Sequence, residues 1–188
     1  MTRLILASAS PRRAELLTSA GYAFAVQPAE IDETPRRSES PSDYVTRVAC
    51  DKARSVPLTG ANEILLAADT SVVIGNRIMG KPAGAEDAAG MLAALSGSIH
   101  EVLTGVVVRT TTRELVELVA TRVHFLHLTP ADITWYVSTG EPMGKAGGYA
   151  IQGRAARFID WIDGSWSNVV GLPLAAVHRM LREAGYID

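Results

Sequence analysis

Residues 4–13 read Leu-Ile-Leu-Ala-Ser-Ala-Ser-Pro-Arg-Arg, an apolar run that passes directly into a polar turn. The apolar half, residues 4–7, predicts a buried strand. Ser10 and Pro11 suit the N-cap and the first position of a helix. A strand, a tight turn and a helix at the start of the chain favour an α/β fold.

Arg12 and Arg13 stand in the first turn of this helix, where the helix dipole repels each cation by about 0.3–1 kcal/mol. Together with the hydroxyls of Ser8 and Ser10 and the free backbone N–H groups, they would suit an anion such as a phosphate chain. The alternative is a solvated helix start whose arginines pair with surface carboxylates. The dipole argument alone leaves both interpretations open.

Composition limits the classes of protein to which the chain can belong. Its 188 residues, 47% hydrophobic and 20% charged, fit one globular domain or two closely packed lobes. A net charge of -2 gives no general attraction to nucleic acid. The single cysteine, Cys50, excludes an intrachain disulfide. A single cysteine suits a reducing compartment, so we expect a cytoplasmic protein. The sequence shows neither an 18-residue apolar run nor a signal peptide, so we expect no membrane role.

Strand and helix patterns alternate along the rest of the chain. Predicted strands cover 4–8, 24–26, 64–68, 71–74, 78–79, 101–109, 115–128 and 158–162. Predicted helices cover 11–20 and 85–95, a further helix has Ser42 as its N-cap, and two more open at Thr129 and Pro173. Residues 71–79 form a predicted hairpin around Gly75-Asn76. The order predicts an α/β fold with a mixed sheet.

Residues 75–82, Gly-Asn-Arg-Ile-Met-Gly-Lys-Pro, resemble a P-loop, but the final residue is wrong. Pro82 has neither the hydroxyl that binds Mg²⁺ nor an N–H for the phosphate. The segment also lies in a predicted hairpin. We therefore reject a P-loop and keep Lys81 as a candidate phosphate contact.

Histidine spacing gives no metal site. His124 and His127 lie three apart on a predicted strand and so point to opposite faces. The same alternation separates Asp160 from Asp163. These histidines, together with His100 and His178, are predicted to be structural.

Acidic and basic residues together suggest a metal–triphosphate site. Asp69 follows a short apolar strand, and the carboxyl ends of strands face the ligand crevice in open α/β sheets. Glu33 lies in an acidic loop that also holds Glu30 and Asp32, and oxygen ligands suit a hard cation. Lys52 falls on the apolar stripe of a helix, so it either snorkels to the rim or points into a cleft. Acids for a metal and bases for phosphates fit phosphoryl chemistry.

Glycine recurs five times between residues 140 and 153, too densely for a strand interior or a helix. Such a segment would let the backbone approach a planar ligand. Gln152 can offer both a donor and an acceptor to a base edge, and Lys145 is a further candidate phosphate contact. The alternative is a loop whose glycines serve turn geometry alone.

Several short motifs occur together in the chain: SASPRR at 8–13, ADT at 68–70, GKP at 80–82, GEP at 140–142, KAGGYAIQG at 145–153 and NVVGLPL at 168–174. In this order they resemble the Maf family of nucleoside triphosphate pyrophosphatases, first described in connection with septum formation. The resemblance extends from about residue 3 to about residue 180.

The resemblance implies a Maf/inosine-triphosphatase-like fold. This is an elongated, twisted mixed β-sheet flanked by helices, with a deep cleft between two lobes, in one domain over 1–188 and often in a homodimer. It also implies hydrolysis between the α and β phosphates, giving a nucleoside monophosphate and pyrophosphate, with a divalent metal such as Mg²⁺ or Mn²⁺.

Roles for individual residues also follow from the resemblance. The position of Asp69 is the family's proton acceptor, although the sequence leaves open whether it acts as a base or only as a metal ligand. The family positions implicated in contacts with the metal and the phosphates match Ser8, Arg13, Glu33, Lys52 and Lys81. The family positions that distinguish the dTTP/UTP subgroup from the 7-methyl-GTP subgroup match Arg12, Thr70 and Gln152. At these three positions this chain is similar to the dTTP/UTP subgroup.

One position departs from that subgroup, because Gly144 stands where many members have an aspartate. Without this charge the sequence predicts the order of preferred nucleotides less well, but hydrolysis itself should not be abolished. Two alternatives remain at the level of sequence. One is a broader pyrophosphatase for modified nucleotides, and the other is a nucleotide-sensing regulator of cell division without useful turnover.

Overall fold

A computed structural model of the chain describes residues 2–187. The strands within this range are β1 Arg3–Leu6, β2 Phe24–Val26, β3 Glu63–Ile74, β4 Arg77–Met79, β5 Ile99–Arg109, β6 Glu114–Phe125 and β7 Ile159–Asp163. The α-helices are α1 Pro11–Ser19, α2 Pro41–Ser55, α3 Ala85–Leu95, α4 Pro130–Ser138, α5 Trp166–Val170 and α6 Leu174–Glu183. Short 3-10 helices cover Ala146–Gly148 and Arg154–Phe158.

All of these strands belong to one sheet, in the order β2-β1-β3-β5-β6-β7, with β4 paired to β3. β1 is parallel to both β2 and β3. β4 runs antiparallel to β3, and β7 runs antiparallel to β6. The sheet thus contains both parallel and antiparallel strand pairs, and helices alternate with strands along the chain. The predicted α/β class with a mixed sheet is therefore confirmed.

The chain divides into two compact units. The first consists of the residues up to Thr70, then Thr104–Val119, and the residues from Gly171 onward. The second consists of Ser71–Leu103 and Ala120–Val170. β3, β5 and β6 each contribute residues to both units. The single domain over 1–188, whose two end residues lie outside the described part, stays a prediction.

In the first unit, α2 packs closely on β1, β3 and β5. Its apolar stripe supplies Ala49, Ala53 and Val56 to a core shared with those strands. Gly105 in β5 makes the approach possible, because a Cβ there would lie 2.5 Å from the carbonyl oxygen of Val45. This packing fixes the face of α2 that also carries Lys52.

Two of the predicted boundaries that differ from the structure affect the site. The N-cap of α2 is Ser40, not Ser42, and the Ser40 hydroxyl accepts a hydrogen bond from the N–H of Asp43. β3 does not end before Asp69, because it continues from Glu63 to Ile74 and pairs with β4 from Val72 onward. Asp69 therefore lies inside a strand rather than at its carboxyl end.

None of the helices formed by residues 2–187 is long and apolar enough to cross a membrane.

Candidate active site

Lys52 joins two carboxylates in the first unit. The apolar stripe of α2 buries its stem, and its Nζ donates to Asp69 Oδ1 at 2.8 Å. The same Nζ forms an ion pair with Glu33 Oε1 at 2.6 Å. Lys52 and Asp69 are both buried, whereas the side chain of Glu33 is 45% exposed. Of the two predicted positions for Lys52, the structure shows the inward one.

The loop that carries Glu33 is attached to α2 through its backbone. The Tyr44 hydroxyl donates to the Glu33 carbonyl oxygen at 2.9 Å, and Arg47 Nη2 donates to the Thr34 carbonyl oxygen at 3.2 Å. Burial, together with the nearby charges of Asp69 and Glu33, raises the pKa of Tyr44 to about 12. Tyr44 therefore remains a hydroxyl donor, and its contact holds the position of Glu33.

Arg13 is buried and uses all three of its guanidinium nitrogens. Nε donates to the Gly171 carbonyl oxygen at 2.9 Å, Nη1 to Ser8 Oγ at 3.2 Å and Nη2 to Thr70 Oγ1 at 3.2 Å. Burial lowers the pKa of Arg13, and the charge of Asp69 acts in the opposite direction. The interpretation of Arg13 as a solvated cation paired with surface carboxylates is therefore wrong.

The serine hydroxyls in the turn before α1 do not form the usual side-chain N-cap. Ser10 is the N-cap residue as predicted, but its side chain forms no capping hydrogen bond. The buried Ser8 hydroxyl accepts instead from the N–H of Ser10 at 3.2 Å. Arg12 is half-buried. Its pKa is lowered, because the effect of burial outweighs the opposing effect of the Glu15 charge.

Thr70 takes part in a hydroxyl network that includes a residue the sequence analysis missed. Its Oγ1 lies 2.9 Å from Thr104 Oγ1 and donates to the Gly171 carbonyl oxygen at 3.2 Å. Thr104 is fully buried in β5. A threonine within an apolar strand gives no sequence signal of its own, because only the neighbouring strand reveals its partner.

The remaining candidates belong to the second unit. The N–H of Gly147 donates to the Gly80 carbonyl oxygen at 3.0 Å, which joins the glycine-rich segment to the residue before Lys81. Lys145 Nζ donates to the Glu141 carbonyl oxygen at 2.6 Å. Lys81 and Gln152 are exposed. The structure thus groups Ser8, Arg13, Glu33, Lys52, Asp69 and Thr70 in one unit, and Lys81, Lys145 and Gln152 in the other.

His124 and His100 both contact other side chains and are not arranged as metal ligands. His124 pairs with Asp160 at 3.1 Å and stacks on Trp161. His100 is buried, its Nε2 lies 2.8 Å from the Tyr149 hydroxyl, and burial lowers its pKa to about 4. Among residues 2–187, no group of three or more His, Cys, Asp or Glu side chains is arranged to hold a metal ion.

A divalent cation nevertheless suits the pair formed by Glu33 and Asp69. Both offer carboxylate oxygens, and both converge on the same Lys52 ammonium. Mg²⁺ is commonly held by one or two carboxylates, with substrate phosphates and water completing its shell. Two acidic ligands therefore fit a cation that arrives with a phosphate chain.

The chain is similar to known proteins along nearly its whole length. A family model described as Maf-like protein matches residues 3–184. A dTTP/UTP pyrophosphatase of Anaeromyxobacter dehalogenans (strain 2CP-C) is 55% identical over 98% of this chain and 95% of its own length. The dTTP/UTP pyrophosphatase of Koribacter versatilis is 47% identical over the same shares, 98% and 95%. The crystal structure of protein VC0702 from Vibrio cholerae aligns with all of this chain and 99% of its own, with 14% identity and a TM-score of 0.45.

Proposed function

Because the chain belongs to the Maf family, we propose that it hydrolyses dTTP and UTP to the nucleoside monophosphate and pyrophosphate. The observation that carries this proposal is the buried ion pair of Lys52 with Asp69, extended by Glu33. It places a carboxylate that can accept a proton beside a cation that can contact phosphate.

In the proposed reaction, water attacks the α phosphorus while the bond from that phosphorus to the bridging oxygen breaks. Pyrophosphate leaves with the bridging oxygen and its electron pair, and the water proton passes to Asp69. Lys52 orients the Asp69 carboxylate through its 2.8 Å hydrogen bond. General-base catalysis of this kind contributes about 10²–10⁴-fold to rate.

Positive side chains neutralise the charge that develops on the leaving group. Arg13 serves this role from a fixed position, since three acceptors hold its guanidinium. Lys52 supplies a second charge in the same unit. Ser8, Ser10, Lys81 and Lys145 are further proposed phosphate contacts, supported by their match to the family's motifs.

We further propose that Glu33 and Asp69 hold a divalent cation, Mg²⁺ or Mn²⁺. When bound, such a cation would neutralise phosphate charge and lower the pKa of a coordinated water. Removal of metal with EDTA should abolish turnover, and Mg²⁺ or Mn²⁺ should restore it. A Glu33→Gln variant should need more metal for half-maximal activity. Undiminished turnover in EDTA would contradict the proposal.

Base selectivity is assigned to Arg12, Thr70 and Gln152. The Gln152 amide carries both a donor and an acceptor, which complements the donor and acceptor on the edge of uracil or thymine. Cytosine presents a different pattern on that edge. Because the amide would have to turn over to match cytosine, its orientation decides the choice, and we expect an orientation that prefers UTP over CTP.

Product analysis tests the proposed reaction most simply. UTP should give UMP and pyrophosphate in equal amounts, and UDP with phosphate would contradict the assignment. Rapid turnover of modified purine triphosphates would favour the broader pyrophosphatase. Tight binding without turnover would favour the cell-division regulator, but such a regulator has no need of a carboxylate placed as Asp69 is.

We also expect a cytoplasmic homodimer that does not bind nucleic acid. Sedimentation equilibrium tests the assembly, with a mass near 40 kDa, twice the 20.0 kDa of the chain, as the expected result. A mass of a single chain at micromolar concentration would contradict the dimer.

A further inference from the structure

Glu141 is the centre of a hydrogen-bond network in the second unit. Its Oε1 accepts from the Tyr136 hydroxyl at 2.8 Å and from the backbone N–H of Arg154 at 2.9 Å. The N–H of Ala155 also donates to Oε1, at 3.4 Å. Tyr136 is fully buried in α4. The GEP motif at 140–142 thus has a structural role that the proposed reaction does not use.

The charge state of the pair suits these contacts. Partial burial acts to raise the pKa of Glu141, but hydrogen bonds from Arg154, Tyr136 and Ala155 outweigh burial and lower it. Burial and the neighbouring carboxylate both raise the pKa of Tyr136. Near neutral pH, Glu141 is therefore an acceptor only and Tyr136 is a donor to it.

This network holds the chain on both sides of Gln152. Two residues before it, the N–H of Ala150 donates to the Tyr136 hydroxyl oxygen at 3.2 Å. Two residues after it, the N–H of Arg154 donates to Glu141. Gln152 itself is exposed between these two fixed points.

Gly153 shows how closely the carboxylate approaches this segment. A Cβ at residue 153 would lie 2.5 Å from Glu141 Oε1, closer than side-chain contacts allow. The residue after Gln152 must therefore be glycine for the carboxylate to reach the two N–H groups beyond it. The Glu141 carbonyl oxygen additionally accepts from Lys145 Nζ at 2.6 Å.

We propose that Glu141, together with Tyr136, is a positioning residue that fixes the backbone around Gln152 and thereby sets the choice between uracil and cytosine. The proposal rests on the proposed function, in which Gln152 contacts the base edge. Glu141 acts through Gln152, because its carboxylate is already engaged by the segment's own donors.

The ratio of kcat/KM for UTP to that for CTP is the quantity that tests the proposal. A partly unfolded enzyme turns over both nucleotides more slowly in equal proportion, so a merely structural role does not change this ratio. Glu141→Gln keeps the size of the side chain but removes its charge and replaces Oε2, which accepts from the N–H of Arg154 at 3.1 Å, by an NH₂ donor. We expect the ratio to fall about tenfold, the effect of one lost or misdirected hydrogen bond.

A double-mutant cycle with Gln152→Ala then identifies the route of the effect. If Glu141 acts through Gln152, adding Glu141→Gln to Gln152→Ala leaves the ratio where Gln152→Ala alone put it. Tyr136→Phe, which removes only the hydroxyl, should lower the ratio in the same direction. Glu86→Gln, an exposed position on α3 in the same unit, is the matched control and should leave the ratio unchanged.

Four results would contradict these proposals, and they distinguish the failure of this inference from the failure of the proposed function. An unchanged ratio in Glu141→Gln, or effects of the two variants that add in the double variant, would reject Glu141 as a positioning residue while UTP hydrolysis stands. An unchanged ratio in Gln152→Ala would reject the base contact and this inference together. Absence of pyrophosphate release by the wild-type protein would reject the proposed function itself.

Discussion

Arg13 places a positive charge in the interior and holds it with three fixed acceptors, namely Gly171, Ser8 and Thr70. A planar guanidinium can donate in three directions at once, whereas a lysine ammonium on a flexible stem cannot reproduce that fork. Position 13 therefore requires arginine, and a lysine would not make the same three contacts.

Replacing Arg13 by lysine should lower kcat/KM for UTP by about 10²-fold, because the retained charge is displaced from the phosphate by about 1 Å. Steady-state kinetics measure the effect. Arg37→Lys, at an exposed loop position, is the control and should resemble wild type. A change of less than about threefold, well below that expected for such a displacement, would show that charge alone suffices at Arg13.

His100 makes stability depend on pH. Burial lowers its pKa from 6.5 to about 4, so between these values the unfolded chain binds a proton that the native chain does not. The free energy of unfolding keeps the full contribution of neutral His100 above about pH 6.5. It falls progressively, by about 3 kcal/mol in total, as the pH falls toward 4.

Urea unfolding at pH 7.5 and pH 5.0 tests this dependence. His100→Gln should lose about 2 kcal/mol less stability than wild type between the two pH values. His127→Gln, at an exposed site, should behave as wild type does. Equal losses in wild type and His100→Gln would contradict a neutral, buried His100.

Sequence reasoning identified some site residues by their unusual placement and could not identify others. Lys52 stood out because a lysine on an apolar stripe is costly to bury without a partner. Thr104 and Tyr136 gave no such signal, since a buried hydroxyl in an apolar segment resembles ordinary core until its partner on another element is known.

At the scale of elements, helix α2 depends on its N-cap. Ser40 Oγ accepts from the N–H of Asp43 at 3.1 Å and donates to Asp43 Oδ2 at 2.6 Å. Because α2 carries Lys52 and the residues that hold the Glu33 loop, its first turn supports the site.

Ser40→Ala should lower the free energy of unfolding by about 1 kcal/mol through loss of the cap. Ser42→Ala, inside the same first turn, should change it by less than about 0.5 kcal/mol. Denaturant unfolding of the two variants measures both values. A larger cost at Ser42 than at Ser40 would place the cap where the sequence pattern first predicted it.

Other elements were predicted to different extents. Helix α3 was predicted with the bounds it has, and the Gly75-Asn76 turn correctly predicted the β3–β4 hairpin. The length of β3 was not predicted, because Asp69 and Thr70 interrupt its apolar run. Polar residues inside a buried strand break the local pattern, as is expected at functional sites.

At the scale of the whole molecule, alternation of strand and helix patterns was enough to predict an α/β fold. The strand order was not derivable in that way, because pairing β1 with β3 and β3 with β5 depends on contacts between distant parts of the chain. The resemblance to a family implied an elongated mixed sheet but no strand order. Nor does periodicity group the site, whose residues in the first unit come from separate segments of the chain.

The most direct test of the account is pyrophosphate release from dTTP, UTP, CTP, 7-methyl-GTP and the purine triphosphates with Mg²⁺ or Mn²⁺, for wild type and Asp69→Asn side by side. The account predicts that dTTP and UTP are the fastest substrates and that Asp69→Asn reduces their turnover by at least about 10²-fold. Turnover by Asp69→Asn close to that of wild type would contradict the central role of Asp69 and its ion pair with Lys52.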